Sequence, residues 1–433
     1  MAGISPAEYA ERRSRLQREL GDGVALIPGA RPRTRSNDTE HVFRQDSDLW
    51  YLTGFPQPEA VAAFSAEEFV FFVQPRDPLM ETWNGRRPGV EGAVEEYGAD
   101  RAYSIEELPA RLPELLRDRP RLFHSFGLDE ELDRRVVETL GELRRQVRRG
   151  VGTPGEIFSP HDIVHRMRTH KSAAEVEVMR AAAEISREAH AAAGRLCRPG
   201  VWEYELEAAL HQVFRSRGGS GPAYNSIVGS GDNATVLHYV ENRSQLRDGQ
   251  VVLIDAGVEL EGYASDVTRT YPVGGRYRGE ARAVYEAVLA AQQAAFDVIR
   301  PGATLKQIHD AAVRTLVEGM VELGALEGGV DELIESEDYR AFYMHSTGHF
   351  LGLDVHDVGQ YSIGGEPRPL EPGMCFTVEP GLYFSADGEK TPERLRGIGV
   401  RIEDDVVMTE DGYETLTDAI PKRIDQVEAW LRE

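Results

Sequence analysis

The stretch Val251–Tyr271, VVLIDAGVELEGYASDVTRTY, constrains this chain more than any other. An apolar run with β-branched residues, Val251 to Ile254, ends on Asp255, and Ala256-Gly257 follow. After a short polar passage around Gly262, a second carboxylate, Asp266, stands in Ser-Asp-Val-Thr-Arg-Thr. The pattern predicts two neighbouring antiparallel strands. Aspartate is depleted in strands, and an ionised carboxylate taken out of water needs a partner. Two of them on adjacent strands repel each other unless a cation lies between. The plainer alternative is a pair of exposed turn aspartates, and this stretch alone does not separate the two.

With 433 residues the chain exceeds one compact core, which predicts two domains. A boundary near His170-Lys171 divides it into residues 1–170 and 171–433. Forty-nine basic residues against 73 acidic ones leave a formal net charge of −24. That balance excludes nucleic acid and anionic membrane as general partners, and it suits a site that collects divalent cations. Two cysteines, Cys197 and Cys375, form no disulfide framework or zinc knuckle. The opening MAGISPAEYAERR lacks the apolar core of a signal peptide, and no apolar run approaches the roughly 18 residues of a membrane span. A cytoplasmic protein is expected.

Before the boundary, Ser5-Pro6-Ala7-Glu8 combines an N-cap, a proline at the first helical position and a capping-box glutamate, and an amphipathic run to Leu20 follows. Val24–Ile27, Leu49–Leu52, Ala60–Phe64 and Phe69–Val73 read as strands, and Ile105–Leu116 and Leu128–Val147 as helices. This is an α/β domain with a mixed or parallel sheet. Its loops are expected to carry Arg35–Asp38, Gln45–Asp48 and Glu81–Arg87, the last with Trp83. After the boundary, Ser172-Ala-Ala-Glu175 and Thr304-Leu-Lys-Gln307 are capping boxes that open long helices. Further helices are expected up to Arg217 and over Gly279–Ile299, and strands with Gly-rich turns from Tyr343 onward. Leu253-Ile-Asp255-Ala-Gly257 and Thr377-Val-Glu379-Pro-Gly381 each end an apolar strand on a carboxylate two residues before a glycine, an echo that points to two related halves.

Three more segments supply metal-ligand types. His349 lies in Met344-His345-Ser-Thr-Gly-His349-Phe-Leu-Gly352, Glu379 in Phe376-Thr-Val-Glu379-Pro-Gly381, and Glu403 in Gly399-Val-Arg401-Ile-Glu403-Asp404. With Asp255 and Asp266 they make four carboxylates and one imidazole, suited to two hard or borderline divalent ions. Manganese fits this set best, followed by cobalt, iron or zinc. Taken singly, a histidine before glycines is more often a core or loop residue, and Glu-Pro-Gly more often a turn.

The ordered set Ile-Asp-Ala-Gly, Ser-Asp-Val-Thr-Arg, Gly-His-x-x-Gly, Val-Glu-Pro-Gly and Arg-Ile-Glu-Asp resembles the pita-bread metallopeptidases. Within that family the likeness is nearest to the bacterial aminopeptidase P (Xaa-Pro aminopeptidase) branch. It covers essentially the whole chain, including Arg44–Phe55. The resemblance implies an α/β N-terminal domain of the creatinase/aminopeptidase P type, serving oligomerisation and access to the site. It also implies an α+β pita-bread domain with a dinuclear metal site. Asp255 would chelate one ion, His349 and Glu379 the other, and Asp266 and Glu403 would bridge them. A metal-bridging hydroxide would attack the Xaa-Pro carbonyl. Glu379 would shuttle the proton to the leaving imino nitrogen, and His238 and His345 would hold the carbonyl. His356, Arg401 and Tyr383 would line the substrate pocket. Asp38 would help hold the free amine, and Trp83 would close the site from this or another subunit of a dimer or tetramer. The implied partners are peptides with proline in second position.

The nearest competing reading is a prolidase, cutting only Xaa-Pro dipeptides with the same metal centre. A pita-bread binding module, or a metal-free creatine hydrolase, would have lost ligands, whereas all five positions are filled here. There is no Gly-x-Ser-x-Gly elbow, P-loop or His-Glu-x-x-His motif.

Overall fold

The computed structural model describes residues 3–432. The chain folds as two units, Ile4–Arg168 and one that begins at Thr169. Among the described residues no helix is long and apolar enough to cross a membrane.

In the first unit Pro6–Leu20 is a helix, with Ser5 accepting from the Glu8 N–H and Pro6 in the first turn. A six-stranded mixed sheet runs Arg101–Ser104, Phe69–Val73, Val61–Ser65, Val24–Pro28, Arg121–Phe123, Glu156–Phe158 in spatial order. The central strands pair antiparallel, while the outer pairings are parallel. Val24, Leu26, Val61, Val70 and Phe72 bury one face of the sheet. They pack against Leu112 and Leu116 of the helix Leu108–Leu116 and Val136, Leu140 and Leu143 of Glu130–Arg145.

Four expectations for this unit fail. Arg35 and Ser36, expected in a loop, belong to the short strand Thr34–Ser36, which pairs with Thr39–Glu40. Leu49–Leu52 is not a strand but lies within the helix Ser47–Thr53. Asp46 accepts from the N–H groups of Asp48 and Leu49, each at 3.0 Å, and left-handed Gly54 closes the helix. Four apolar residues do not discriminate strand from helix, and the cap at Asp46 decides. For the same reason Ser47 and Asp48 are helical, not loop. Glu81–Asn84 likewise belongs to the helix Pro78–Asn84, capped by Asp77.

The second unit holds two pairs of packed helices, Ala173–Gly194 with Glu203–Ser216 and Gly279–Asp297 with Leu305–Glu322. Of the three predicted capping boxes, those at Ser172 and Thr304 are formed in full, while at Ser5 it is the serine half that is seen. Each pair precedes antiparallel strands. Val251–Asp255 lies between Ile227–Ser230 and Thr268–Pro272, and Asp255 stands opposite both Ile227 and Thr268. Cys375–Val378 pairs with Asp404–Met408, and Gly381–Phe384 with Ile398–Arg401. The expected strand context of His349 is not found. Residues 343–361 are irregular apart from one bridge between Phe350 and Phe376.

Candidate metal centre

The five predicted ligand positions all lie at the ends of strands or beside them. Asp255 is the last residue of its strand, and Asp266 stands two residues before the strand that pairs with it. Glu379 follows Cys375–Val378, and Glu403 occupies the break between Ile398–Arg401 and Asp404–Met408. A strand end frees the backbone from the ladder, so a side chain there reaches past the sheet instead of packing on its face.

His349 arrives on a loop pressed against strand Cys375–Val378. Thr377 N–H donates to the His349 carbonyl at 2.9 Å and Glu379 N–H to the Thr347 carbonyl at 2.8 Å. Contact is so close that a Cβ on Gly348 would lie 2.0 Å from the Thr377 carbonyl oxygen. Gly257, next to Asp255, is held as tightly: a Cβ there would lie 1.8 Å from the Ser265 carbonyl oxygen.

All five side chains line one cleft of about 710 Å³, together with Tyr224, His238, His345, His356 and Arg401. Its lining is drawn entirely from the second unit. Donor atoms of Asp266, His349 and Glu403 lie within 4.8 Å of one another. Nε2 of His349 is 3.4 Å from Oδ2 of Asp266 and 3.5 Å from Oε1 of Glu379. Its Nδ1 faces the Phe350 carbonyl at 3.0 Å, so in the neutral ring the Nε2 lone pair points into the cluster.

Two residues that the sequence reading did not single out knit these groups together. The Tyr224 hydroxyl lies 2.6 Å from Asp255 Oδ1 and 2.5 Å from Asp266 Oδ1. The Thr268 hydroxyl donates to Glu403 Oε2 at 2.5 Å and accepts from Arg401 Nε at 3.0 Å. Pairing was the missing information. Tyr224 stands three residues before Ile227, which lies opposite Asp255, and Thr268 faces Asp255 from the other side. Behind Asp266, its N–H donates to Asp405 Oδ2 at 3.0 Å.

Charge in this cluster is out of balance. Burial pushes the carboxyl of Glu403 well above its usual range, and Asp266 and Glu379 push it further. Burial lifts Glu379 to about 7 against the pull of His349 and Arg401. Burial likewise raises Asp255, and Arg401 acts the other way. For His349 burial opposes the charge, yet Asp266 and Glu379 hold the imidazolium up to about 9. Tyr224 has one proton to offer to two carboxylate oxygens, so its second short contact needs another positive charge. A buried surplus of anionic oxygen with one imidazole therefore fits divalent cations, with Asp255, Asp266, His349, Glu379 and Glu403 as candidate donors.

The remaining predicted residues are distributed unevenly. His238 and His356 are exposed in the cleft, with the His356 ring 4.4 Å from that of His349. Arg401 is buried and reaches Asp255, Thr268 and Tyr383. Tyr383, expected to line the pocket, is instead 2% exposed behind it. Its hydroxyl meets His345 Nε2 at 2.8 Å and Arg401 Nη1 at 3.0 Å. His345 also contacts the Ser346 carbonyl through Nδ1 at 2.7 Å, so both ring nitrogens are engaged. Burial, with Arg401 nearby, lowers its pKa to about 3 and keeps it neutral. Asp38 and Trp83 belong to the first unit, and both are exposed on it, Trp83 by 78%.

Two family models match the chain, Metallopeptidase family M24 over residues 177–410 and the Aminopeptidase P N-terminal domain over residues 9–123. The chain is 44% identical to the Xaa-Pro aminopeptidase of Escherichia coli (strain K12), covering 100% of this chain and 99% of that protein. The Pseudomonas aeruginosa aminopeptidase PepP structure matches with a TM-score of 0.97 and 48% identity, covering 100% of this chain and 99% of that one. A glutamate-to-alanine variant of E. coli aminopeptidase P in complex with substrate matches with a TM-score of 0.96 and 43% identity, covering 99% of each chain. The likeness spans both units, and the first of the two models takes in the whole ligand set, so the chain belongs to metallopeptidase family M24.

Proposed function

We propose that this protein is an Xaa-Pro aminopeptidase, an exopeptidase that releases the N-terminal residue from peptides with proline in second position. The observation that carries this reading is the convergence of Asp266, His349 and Glu403 in one cleft with Arg401 and the exposed imidazoles of His238 and His356. The full-length likeness to proteins named Xaa-Pro aminopeptidase supports it over a prolidase.

Asp255, Asp266, His349, Glu379 and Glu403 would hold two divalent ions. The oxygen-rich donor set favours manganese, with cobalt, iron or zinc as substitutes. Bound there, such ions supply Lewis-acid polarisation of the carbonyl and a water of lowered pKa. Glu379 would take up a proton and return it to the leaving imino nitrogen. Proline's nitrogen has no N–H and must gain a proton to leave. His238 is placed to donate to the scissile carbonyl, and His356 to flank the proline side. His345, engaged at both nitrogens, acts through Tyr383 and Arg401 on the shape of the pocket.

We also read the chain as self-associating, because the first unit exposes Val42 by 93%, Leu79 by 71% and Trp83 by 78%. The two cysteines of the second unit, Cys197 and Cys375, are buried and unpaired, which accords with a reducing cytosol.

Manganese-loaded protein, offered a tripeptide with proline second and a matched Xaa-Pro dipeptide, tests the assignment. Release of the first residue from the tripeptide, lost on chelation, is the expected result. Cleavage of the dipeptide alone would replace it with a prolidase.

A further inference from the structure

The first unit holds a second convergence of metal-ligand side chains that the peptidase chemistry does not use. Asp48 lies on the helix Ser47–Thr53, and His161 and His165 on the helix His161–Thr169. Four residues apart, the two histidines share one face of their helix. Their rings stack with centroids 4.2 Å apart and planes 13° apart. Both Nε2 atoms turn to one oxygen of Asp48: Oδ2 is 3.1 Å from His165 and 3.5 Å from His161. All three donor atoms lie within 4.8 Å of one another.

These separations have a chemical meaning. An ion about 2.0–2.1 Å from nitrogen and oxygen ligands in a tetrahedral site places neighbouring donors about 3.3 Å apart. The two distances, 3.1 and 3.5 Å, fall on either side of that edge. Asp48 is buried, and its other oxygen, Oδ1, accepts from Arg168 Nη1 at 2.7 Å. A carboxylate held from behind in this way, with its second oxygen turned to imidazoles, is the arrangement that orients a metal ligand. The Ser125 hydroxyl stands 3.3 Å from His161 Nε2 and 2.9 Å from the Ser159 hydroxyl. It leaves a polar fourth side where a hydroxyl or a water completes the set.

We propose that Asp48, His161 and His165 form a mononuclear site for a borderline divalent transition ion, zinc above all. Two nitrogens and one oxygen at helical i, i+4 spacing suit zinc better than the hard cations that favour all-oxygen sites. The ion would join two helices whose ligands are 117 positions apart in the chain. Its part is to staple the first unit, independent of turnover in the second.

The test uses the full chain carrying Asp266→Ala and Glu403→Ala, which disarms the cleft, dialysed against zinc chloride and assayed by metal analysis. One zinc retained per chain is expected, with a rise in melting temperature of about 4 °C at saturating zinc. Adding His161→Gln at a partly exposed position should weaken zinc binding at least tenfold and abolish the rise, with the metal-free melting temperature unchanged. In the otherwise unaltered chain, His161→Gln should remove one zinc per chain and leave manganese-dependent peptidase activity intact. Equal zinc retention with and without His161, or none in the disarmed chain, overturns the proposal. The cluster is then a hydrogen-bonded anchor for Asp48 and nothing more.

Discussion

Arg401 and Asp255, 146 residues apart in the chain, are joined by a hydrogen bond of 2.5 Å from Nη2 to Oδ2, with both side chains buried. The contact ties the strand Ile398–Arg401 to the strand Val251–Asp255, one from each half of the second unit. It engages Oδ2 of Asp255, while Oδ1 meets the Tyr224 hydroxyl. Arg401 is the cation that the buried carboxylates share, since Glu403 and Glu379 feel it as well. Removing one partner of a buried pair costs about 3–5 kcal/mol, because the other charge is stranded.

Arg401→Ala should therefore lower kcat/KM about 10²–10³-fold and lower the melting temperature. Arg401→Lys should rescue little, since an ammonium cannot span Asp255, Thr268 and Tyr383 with a planar fork. Steady-state kinetics with parallel metal analysis checks this. A lysine variant of full activity would show that charge alone suffices.

Metal loading should release protons. His349 keeps its proton up to about 9 in the metal-free protein, and Glu403 is held well above its usual range. Ligation requires the neutral ring and the bare carboxylate, so protons leave as ions enter. The sign follows: affinity rises with pH through neutrality and falls in acid. Calorimetry at pH 7 in buffers of different ionisation enthalpy should report at least one proton released per chain, and zero net release would refute the charge balance described above.

Gly348→Ala tests how His349 is placed. The added methyl would meet the Thr377 carbonyl at 2.0 Å, forcing the loop off its strand. A loss of about 2–3 kcal/mol is expected, together with weakened metal binding, because the ring moves with its backbone. Unchanged melting and metal content would mean that the loop slides at no cost.

His190 sits next to the cluster with no exposure, its nitrogens bonded to the Tyr271 hydroxyl and the Ala256 carbonyl. Burial lowers it to about 4, whereas an unfolded histidine titrates near 6.5. Below 6.5 the unfolded chain binds a proton that the folded one refuses. This contribution to stability is thus complete above about 6.5 and drains away towards pH 4, by about 3 kcal/mol. Melting temperature against pH should slope less steeply in His190→Gln than in the parent; identical slopes would remove His190 from the account.

Asp255 and Glu379 were legible as candidate ligands because each ends an apolar run two residues before a glycine, whereas Asp266, His349 and Glu403 were legible only through the ordered motifs around them. Helix starts at Ser5, Ser172 and Thr304 were readable because capping chemistry lies within four residues. What stayed hidden depends on distant contacts. Tyr224 and Thr268 acquire their roles only from cross-strand register, and Tyr383 is turned inward by two partners 18 and 38 residues away. Leu49–Leu52 failed differently. A four-residue apolar run carries no period, and the deciding cap lies outside it.

The Thr268 hydroxyl makes the network directional. Arg401 can only donate, so the threonine accepts there and must aim its single hydrogen at Glu403 Oε2. That oxygen is thereby reserved as an acceptor. A proton on Glu403 is then favoured on Oε1. One hydroxyl hydrogen thus breaks the symmetry of the carboxylate and makes its two oxygens chemically distinct before any cation arrives.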